Sequence, residues 1–333
     1  MTYKLSLLDK TPVEPDGNAA KALRNTIKLA RRADQLGYHR FWVAEHHGST
    51  QLASSAPEIL VSHILAHTSR IRVGTGGVML QHYSPYKVAE TFKVLESLAP
   101  GRVDLGIGKA PGGLPASTRA LQAHRDPASP PDFNTALAEL DGFLTGNLPS
   151  DHPLAGAVAT PDVPALPQRI LLGGSPDSAR LAAILGWDFS YAGHFNGDPA
   201  NIEATFRTYE DLTGRLPSLA LYAFAASNSE KAAALVGELR IFTAHLPTGQ
   251  RVNLPTLEAV AEFARQGGYS DYRTEEKRPH VIAGTPEQVR GELDALASRF
   301  GVTEFIVDNP VAIFAERLAS IELLAGAAAT LAA

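Results

Sequence analysis

"RFWVAEHHG", residues 40–48, is a short apolar run that stops against Glu45, His46 and His47. Aromatic and β-branched residues suit a buried strand, and three successive titratable side chains suit the place where it emerges. The same unit recurs on both sides. Upstream, YKLSLL (3–8) reads as a strand and NAAKALRNTIKLARRADQLG (18–37) as a helix, with apolar residues at 19, 20, 23, 27, 30 and 33 and Gly37 as its stop. Downstream, RIRVGTGG (70–77), RVDLGIG (102–108), RILLGG (169–174), DFSYAG (188–193), SLALYAFAAS (218–227) and EFIVDN (304–309) continue the strand series. Helices are expected over 56–68, 84–98, 133–145, 175–186, 199–213, 229–244 and 255–266, with a further one opening at Thr285 and Pro286 and a last one after 310.

Eight strands, each followed by helix and with no linker between them, predict a single-domain (β/α)8 TIM barrel over 1–333. The same alternation permits a doubly wound open sheet, which would leave strand edges exposed. Residues 246–280, rich in Gly, Arg and Tyr, form a candidate mobile lid after the seventh strand, with an inert connection as the alternative. The alanine-rich tail 326–333 is expected to fray.

Composition narrows the function classes. A hydrophobic share of 44% and a charged share of 20% supply a sizeable core. The net charge is −5 and the 30 Lys and Arg residues are scattered, so neither nucleic acid nor an anionic membrane is an expected partner. No apolar run approaches the roughly 20 residues of a membrane span. MTYKLSLLDK lacks the features of a signal peptide, and cysteine is absent, so a cytoplasmic location is expected. Without cysteine there are no disulfides, thiolate nucleophiles or Cys-ligated metals.

Barrel sites lie where strands end. Glu45-His46-His47, Gly74-Thr75-Gly76-Gly77, Gly106-Ile107-Gly108-Lys109 and Gly173-Gly174-Ser175 all fall at such ends, which predicts one pocket. The three glycines around Thr75 would let backbone approach a flat ligand. Ser175 reads as an N-cap with Pro176 in the first turn, so free N–H groups there can hold a phosphate, with Ser178 adding a hydroxyl and Lys109 a charge. Adjacent histidines on an extended segment point to opposite sides, which disfavours a shared metal, and none is expected. Phe41, Tyr83, Tyr191 and Phe195 are candidates to line an apolar cavity, with plain packing as the alternative.

The segments YHRFWVAEHHG, SRIRVGTGGVMLQHYSPYKVAE, LAPGRVDLGIGKAPGG, LLGGSPDSARLAA and IAGTPEQVRGEL together resemble the bacterial luciferase-like flavin-dependent oxidoreductases, in particular the single-chain luciferase-like monooxygenases. The likeness runs in register from about residue 3 to 325. It implies a TIM barrel, a homodimer, and reduced FMN delivered by a separate NAD(P)H-dependent flavin reductase for oxidation of a small organic substrate with O2. A deazaflavin coenzyme for hydride transfer, and flavin binding without turnover, are the alternatives. By the same resemblance His46 is the acid/base group with Glu45 and His47 supporting it, and Gly76-Gly77 is a non-proline cis peptide beside the flavin. Lys109, Gly174, Ser175 and Ser178 are the phosphate anchors. Two departures stand out: Gly108 occupies the place of a cysteine in the light-emitting enzymes, and Lys109 replaces an arginine, a point charge for a bidentate fork.

Overall fold

In a computed structural model, which describes residues 3–126 and 132–331, eight parallel strands close into a ring. In chain order these are β1 (Lys4–Asp9), β2 (Arg40–Val43), β3 (Arg72–Thr75), β5 (Val103–Gly108), β6 (Gln168–Gly173), β7 (Asp188–Ala192), β8 (Ser218–Ala225) and β13 (Glu304–Asp308), the last pairing back onto β1. The short β4 (Val78–Met79) adds to β5. Outside lie α1 (Ala19–Leu36), α2 (Pro57–Ala66), α3 (Pro85–Leu98), α4 (Pro115–Leu121), α5 (Phe133–Thr145), α6 (Pro176–Ile184), α7 (Pro199–Thr213), α8 (Ser229–Val236), α10 (Pro286–Phe300) and α11 (Phe314–Leu331). The barrel, and not the open sheet, is the fold. Residues 127–131 of the 124–133 loop and 332–333 of the tail lie outside the described residues. Among the described residues no helix is long and apolar enough to cross a membrane.

Strand alternation divides the core in two. Phe41, Val43, Val73, Leu105, Ile107, Leu171, Phe305 and Val307 face the helices, whereas Leu8, Trp42, Ala44, Ile170, Ala220 and Ile306 fill the barrel. Beneath that inner layer the N-terminal end is closed by polar groups. Arg40 donates to Glu304 Oε1 at 2.7 Å and to Asp104 Oδ2 at 2.9 Å. Trp42 Nε1 donates to the same Asp104 oxygen at 2.9 Å, and Ser6 Oγ to Glu304 at 2.6 Å. Every charge in this plug is paired, which is what makes its burial tolerable.

Two expectations are corrected. The buried face of α1 carries Ala22, Asn25, Thr26, Leu29, Ala30, Ala33 and Asp34, while Ala19 and Ala20 are exposed. Polar residues sit on that face because they are bonded there: Thr26 Oγ1 donates to Asp9 at 2.9 Å, and Asp34 accepts from the N–H groups of Ser69, Arg70 and Ile71 at 2.8–3.0 Å. The helix expected over 229–244 ends at Val236, and Ile241–His245 is a strand, β9. It pairs antiparallel with β10 (Arg251–Leu254) and β11 (Arg273–Lys277), and α9 (Leu257–Gly267) packs on them. A short apolar run such as IFTAH cannot be told from a helix end by periodicity. After this excursion β12 (Val281–Gly284) pairs with the end of β8 and feeds α10 through the Thr285 capping box.

Replacing Arg40 by Met should leave the Glu304 carboxylate buried without its cation and lower the unfolding free energy by about 3 kcal/mol. Urea denaturation reads this directly; a loss within about 0.5 kcal/mol, as for a surface change, would show that closure does not depend on the plug.

Candidate active site

Glu45, His46 and His47 leave β2 at its C-terminal end, and two backbone bonds set their directions. His46 N–H donates to Ser54 O at 2.9 Å and His47 N–H to Gly112 O at 2.7 Å. The side chains therefore diverge. Glu45 is 1% exposed, and its carboxylate accepts from His47 Nε2 at 2.7 Å, from Tyr83 Oη at 2.7 Å and from Met79 N–H at 3.0 Å. A carboxylate only accepts, so His47 carries its proton on Nε2. Burial and the adjacent Glu45 push the Tyr83 phenol far above its ordinary range.

His46 turns the other way. Its Nδ1 is buried and has no hydrogen-bond partner among the described residues. Burial holds the imidazole down to about 4, with the charge of Lys10 acting in the same direction and that of Asp308 against it. It is therefore neutral near pH 7, with one ring nitrogen left uncommitted.

The glycines after β3 pack tightly on the barrel interior. The Gly76–Gly77 peptide is cis. A Cβ on Gly76 would lie 2.7 Å from Leu8 Cδ1, and one on Gly77 would lie 2.7 Å from Gly106 O. These positions let the chain press closely against the barrel's own interior. Gly108 differs, since a Cβ there would meet only Met79, at an ordinary 3.5 Å.

β5 and β6 are neighbours with Ile107 opposite Leu171, so Lys109 and Gly173-Gly174-Ser175 continue side by side onto the rim. Lys109 is exposed, with its ammonium 5.4 Å from the centre of the Phe133 ring and no carboxylate within ion-pairing distance among the described residues. Ser175 Oγ caps α6 by accepting from Ser178 N–H at 3.3 Å, and the two hydroxyls are 3.2 Å apart. Gly174 fronts open space, its nearest prospective neighbour being Asn196 Cβ at 4.0 Å, while its carbonyl is held by Asn201 Nδ2 at 2.8 Å. Asp177 is exposed. Glu45-His46-His47, Gly108-Lys109 and Gly174-Ser175 thus lie at strand ends on one rim, with Ser178 in the first turn of α6 beside Ser175.

Other readings change. Phe41 and Tyr191 are fully buried on the helix side of the barrel, Phe195 is half exposed, and Tyr83 is committed to Glu45. Four residues that were not singled out stand at the same end: Lys10, His194, Tyr222 and Asp308. Lys10 Nζ is 2.9 Å from Asp308 Oδ2 and 5.0 Å from the centre of the Tyr222 ring. The His194 and Tyr222 rings are 5.6 Å apart. They come from four separate stretches of sequence, so only the register between strands brings them together.

Comparison with known proteins agrees with this architecture. A family model described as luciferase-like monooxygenase matches residues 1–304. The N-acetyl-S-alkylcysteine monooxygenase of Bacillus subtilis (strain 168) is 39% identical over 332 residues, covering 97% of this chain and 98% of that one. Among solved structures, apo-MsnO8 is 34% identical with a TM-score of 0.77, covering 98% and 97% of the two chains. Two more distant structures share the fold. The oxygenating constituent of 3,6-diketocamphane monooxygenase from Pseudomonas putida, in complex with FMN, has a TM-score of 0.69 at 18% identity, with 98% and 97% covered. An F420-dependent secondary alcohol dehydrogenase has 0.65 at 16%, with 97% and 98% covered.

Since folding holds His46 and His194 down to about 4, the unfolded chain binds protons that the native chain refuses as pH falls from the ordinary histidine range towards 4. Stability should therefore drop across that window, and His46→Gln should flatten the drop. The check is urea midpoint against pH, with histidine-labelled NMR following each ring; an imidazole at 46 that titrates near 6.5 would contradict the burial argument.

Proposed function

The chain belongs to the luciferase-like monooxygenase family, and from that premise we propose that it is a flavin-dependent monooxygenase using reduced FMN and O2 to oxidise a small organic substrate. Reduced flavin is supplied by a separate NAD(P)H-dependent reductase in the cytoplasm. The observation that carries this reading is a cation at Lys109 with no ion-pair partner among the described residues, beside the capped start of α6, on the rim that also bears the uncommitted nitrogen of His46.

The residues present suit a flavin nucleotide. Lys109, Ser178 and the first-turn N–H groups of α6 offer donors for one phosphate, and Gly174 leaves space before them. One lone cation and one helix start favour a single phosphate over the long anionic tail of a deazaflavin coenzyme. Reduced flavin, when bound, supplies the two electrons with which one atom of O2 enters the substrate and the other leaves as water. His46 accepts a proton at Nδ1, which its neutrality at working pH leaves free, and passes it on once protonated. Glu45 and His47 act as positioning residues by fixing the segment that carries it. Residues 246–280 contribute β10, α9 and β11, which pack on the rim where Gln266 accepts from Ala116 N–H and Arg119, both at 2.8 Å, and we assign this excursion the role of a lid. The B. subtilis relative acts, by its name, on N-acetyl-S-alkylcysteine, which makes N-acylated thioethers the first substrates to test.

The same premise supports a homodimer. α2 and α3 present Ile59, Val94 and Leu98 at 69%, 45% and 70% exposure around a groove of about 740 Å³ that also carries Lys87 and Glu90. Apolar residues edged by both signs of charge suit a second copy of the same face.

Titration calorimetry should show FMN binding more tightly than riboflavin, which lacks the phosphate. Lys109→Met should weaken FMN about tenfold and leave riboflavin unchanged. His46→Ala should keep FMN affinity while turnover of the coupled system falls at least about a hundredfold. Equal affinity for FMN and riboflavin would overturn the phosphate assignment, and unaltered turnover would remove His46 from the reaction. Separately, Leu98→Glu is expected to convert the dimer to monomer in sedimentation equilibrium, and a wild-type monomer would refute the interface.

A further inference from the structure

Across the barrel mouth from the phosphate anchors lies a second polar patch that no step above uses. Around the ring of eight strands, β13 and β1 stand opposite β5 and β6. Lys10 follows β1, Asp308 ends β13, Tyr222 lies in β8 and His194 follows β7, where its N–H donates to Ala220 O at 3.1 Å. Register puts them on one side: Leu8 and Tyr222 are both opposite Asp308, and Leu8 is an inner-layer residue, so Asp308, Tyr222 and the continuation of β1 at Lys10 share the inward face. Asp308, Tyr222 and His194 are buried, while the Lys10 side chain keeps 26% of its surface open.

The patch is poorly satisfied from within. His194 Nδ1, Asp308 Oδ1 and, at its edge, His46 Nδ1 are buried and find no hydrogen-bond partner among the described residues. Unpaired buried polar groups are scarce in folded proteins and each calls for a reason. Three together at the C-terminal ends of barrel strands point to a partner that is not protein. The charge state restricts what that partner is. Lys10 and Asp308 cancel at 2.9 Å, and burial keeps His194 and His46 neutral near pH 7. A floor with no net charge gives a free anion little advantage, whereas a neutral group with one acceptor and one donor matches it.

We propose that Lys10, His194, Tyr222 and Asp308 form the subsite for the polar head of the organic substrate, and that this head is a neutral acceptor–donor group of the secondary-amide class. The amide oxygen accepts from Lys10 and the amide N–H donates to Asp308 Oδ1, which leaves the rest of the molecule on the flavin side of the mouth. This assignment rests on the oxygenase reading of the same mouth.

The test uses three probes with one thioether tail: N-[2-(methylthio)ethyl]acetamide, its ester counterpart 2-(methylthio)ethyl acetate, and the anion 3-(methylthio)propionate. Binding is measured calorimetrically on the full chain with FMN present, and FMN affinity is measured in parallel. Wild type should bind the amide about tenfold more tightly than the ester, because only the amide donates to the carboxylate. Asp308→Leu, which removes the acceptor, should erase that preference, and His194→Phe, which leaves the ion pair intact, should weaken amide and ester alike. FMN affinity should be unchanged in both variants, which also shows that they are folded. Equal binding of amide and ester, a preference that survives Asp308→Leu, tighter binding of the anion, or no saturable binding of any probe would each overturn the subsite. If wild type ignores FMN yet keeps the amide preference, the flavin reading fails and the subsite stands.

Discussion

The Glu45 carboxylate is the constraint from which the rest of the rim takes its shape. It lies 1% exposed and accepts three hydrogen bonds, from a ring nitrogen, a phenol and a backbone amide. Those donors come from the segment after β2, from β4 and from the turn that precedes α3, so one side chain joins three pieces of chain that share no ladder. Without it, Met79 N–H, the Tyr83 hydroxyl and His47 Nε2–H would lose their acceptor in a place water does not reach. Because His47 is drawn to that carboxylate, His46 has to face the barrel. The orientation of the proposed proton carrier is thus a consequence of its neighbour's hydrogen bond.

Charge is distributed unevenly around the mouth, and the unevenness has a chemical sense. At the β5–β6 side the cation is exposed, single and attached to a flexible stem. Water and salt screen such a group, and a lysine offers a phosphate no bidentate grip. In the proposed reaction the flavin arrives reduced and leaves oxidised, so an exchangeable hold is what the cycle needs. At the β13–β1 side the charges are buried and mutually cancelled, which fixes geometry without creating a strong field. His46, just after β2, stands between these two regimes.

Much of this arrangement was legible in the sequence. All eight barrel strands, the Ser175-Pro176 and Thr285-Pro286 helix starts, and the gathering of Glu45, His46, His47, Lys109 and Ser175 at strand ends follow from local pattern. What was not legible depends on contacts that local pattern does not encode. Thr26 and Asp34 look like the solvent side of α1 until Asp9 and the 69–71 backbone are known to await them. The glycines of VGTGG read as backbone able to approach a flat ligand, but that a side chain there would meet Leu8, Asp104 and Gly106 depends on the neighbouring strands. Lys10 and Asp308 are nearly a chain length apart, each with an unremarkable neighbourhood, and only ring closure makes them a pair.

That closing seam carries more charge than the others, and the reason lies in register. Along the β1–β13 seam and the segments flanking it, Ser6 and Arg40 bond Glu304, Lys10 pairs with Asp308, and Arg317 reaches Asp9 at 2.8 Å. Apolar strands tolerate a slip of two residues, since the same faces stay buried. A slip here would separate buried ions at both ends of the strand, which costs far more than a shifted apolar contact. Buried pairs add little net stability over apolar packing, so their value at this seam is selectivity among registers. The register they select is also the one that brings Lys10 beside Asp308, so one ion pair belongs both to the seam that closes the barrel and to the floor of its mouth.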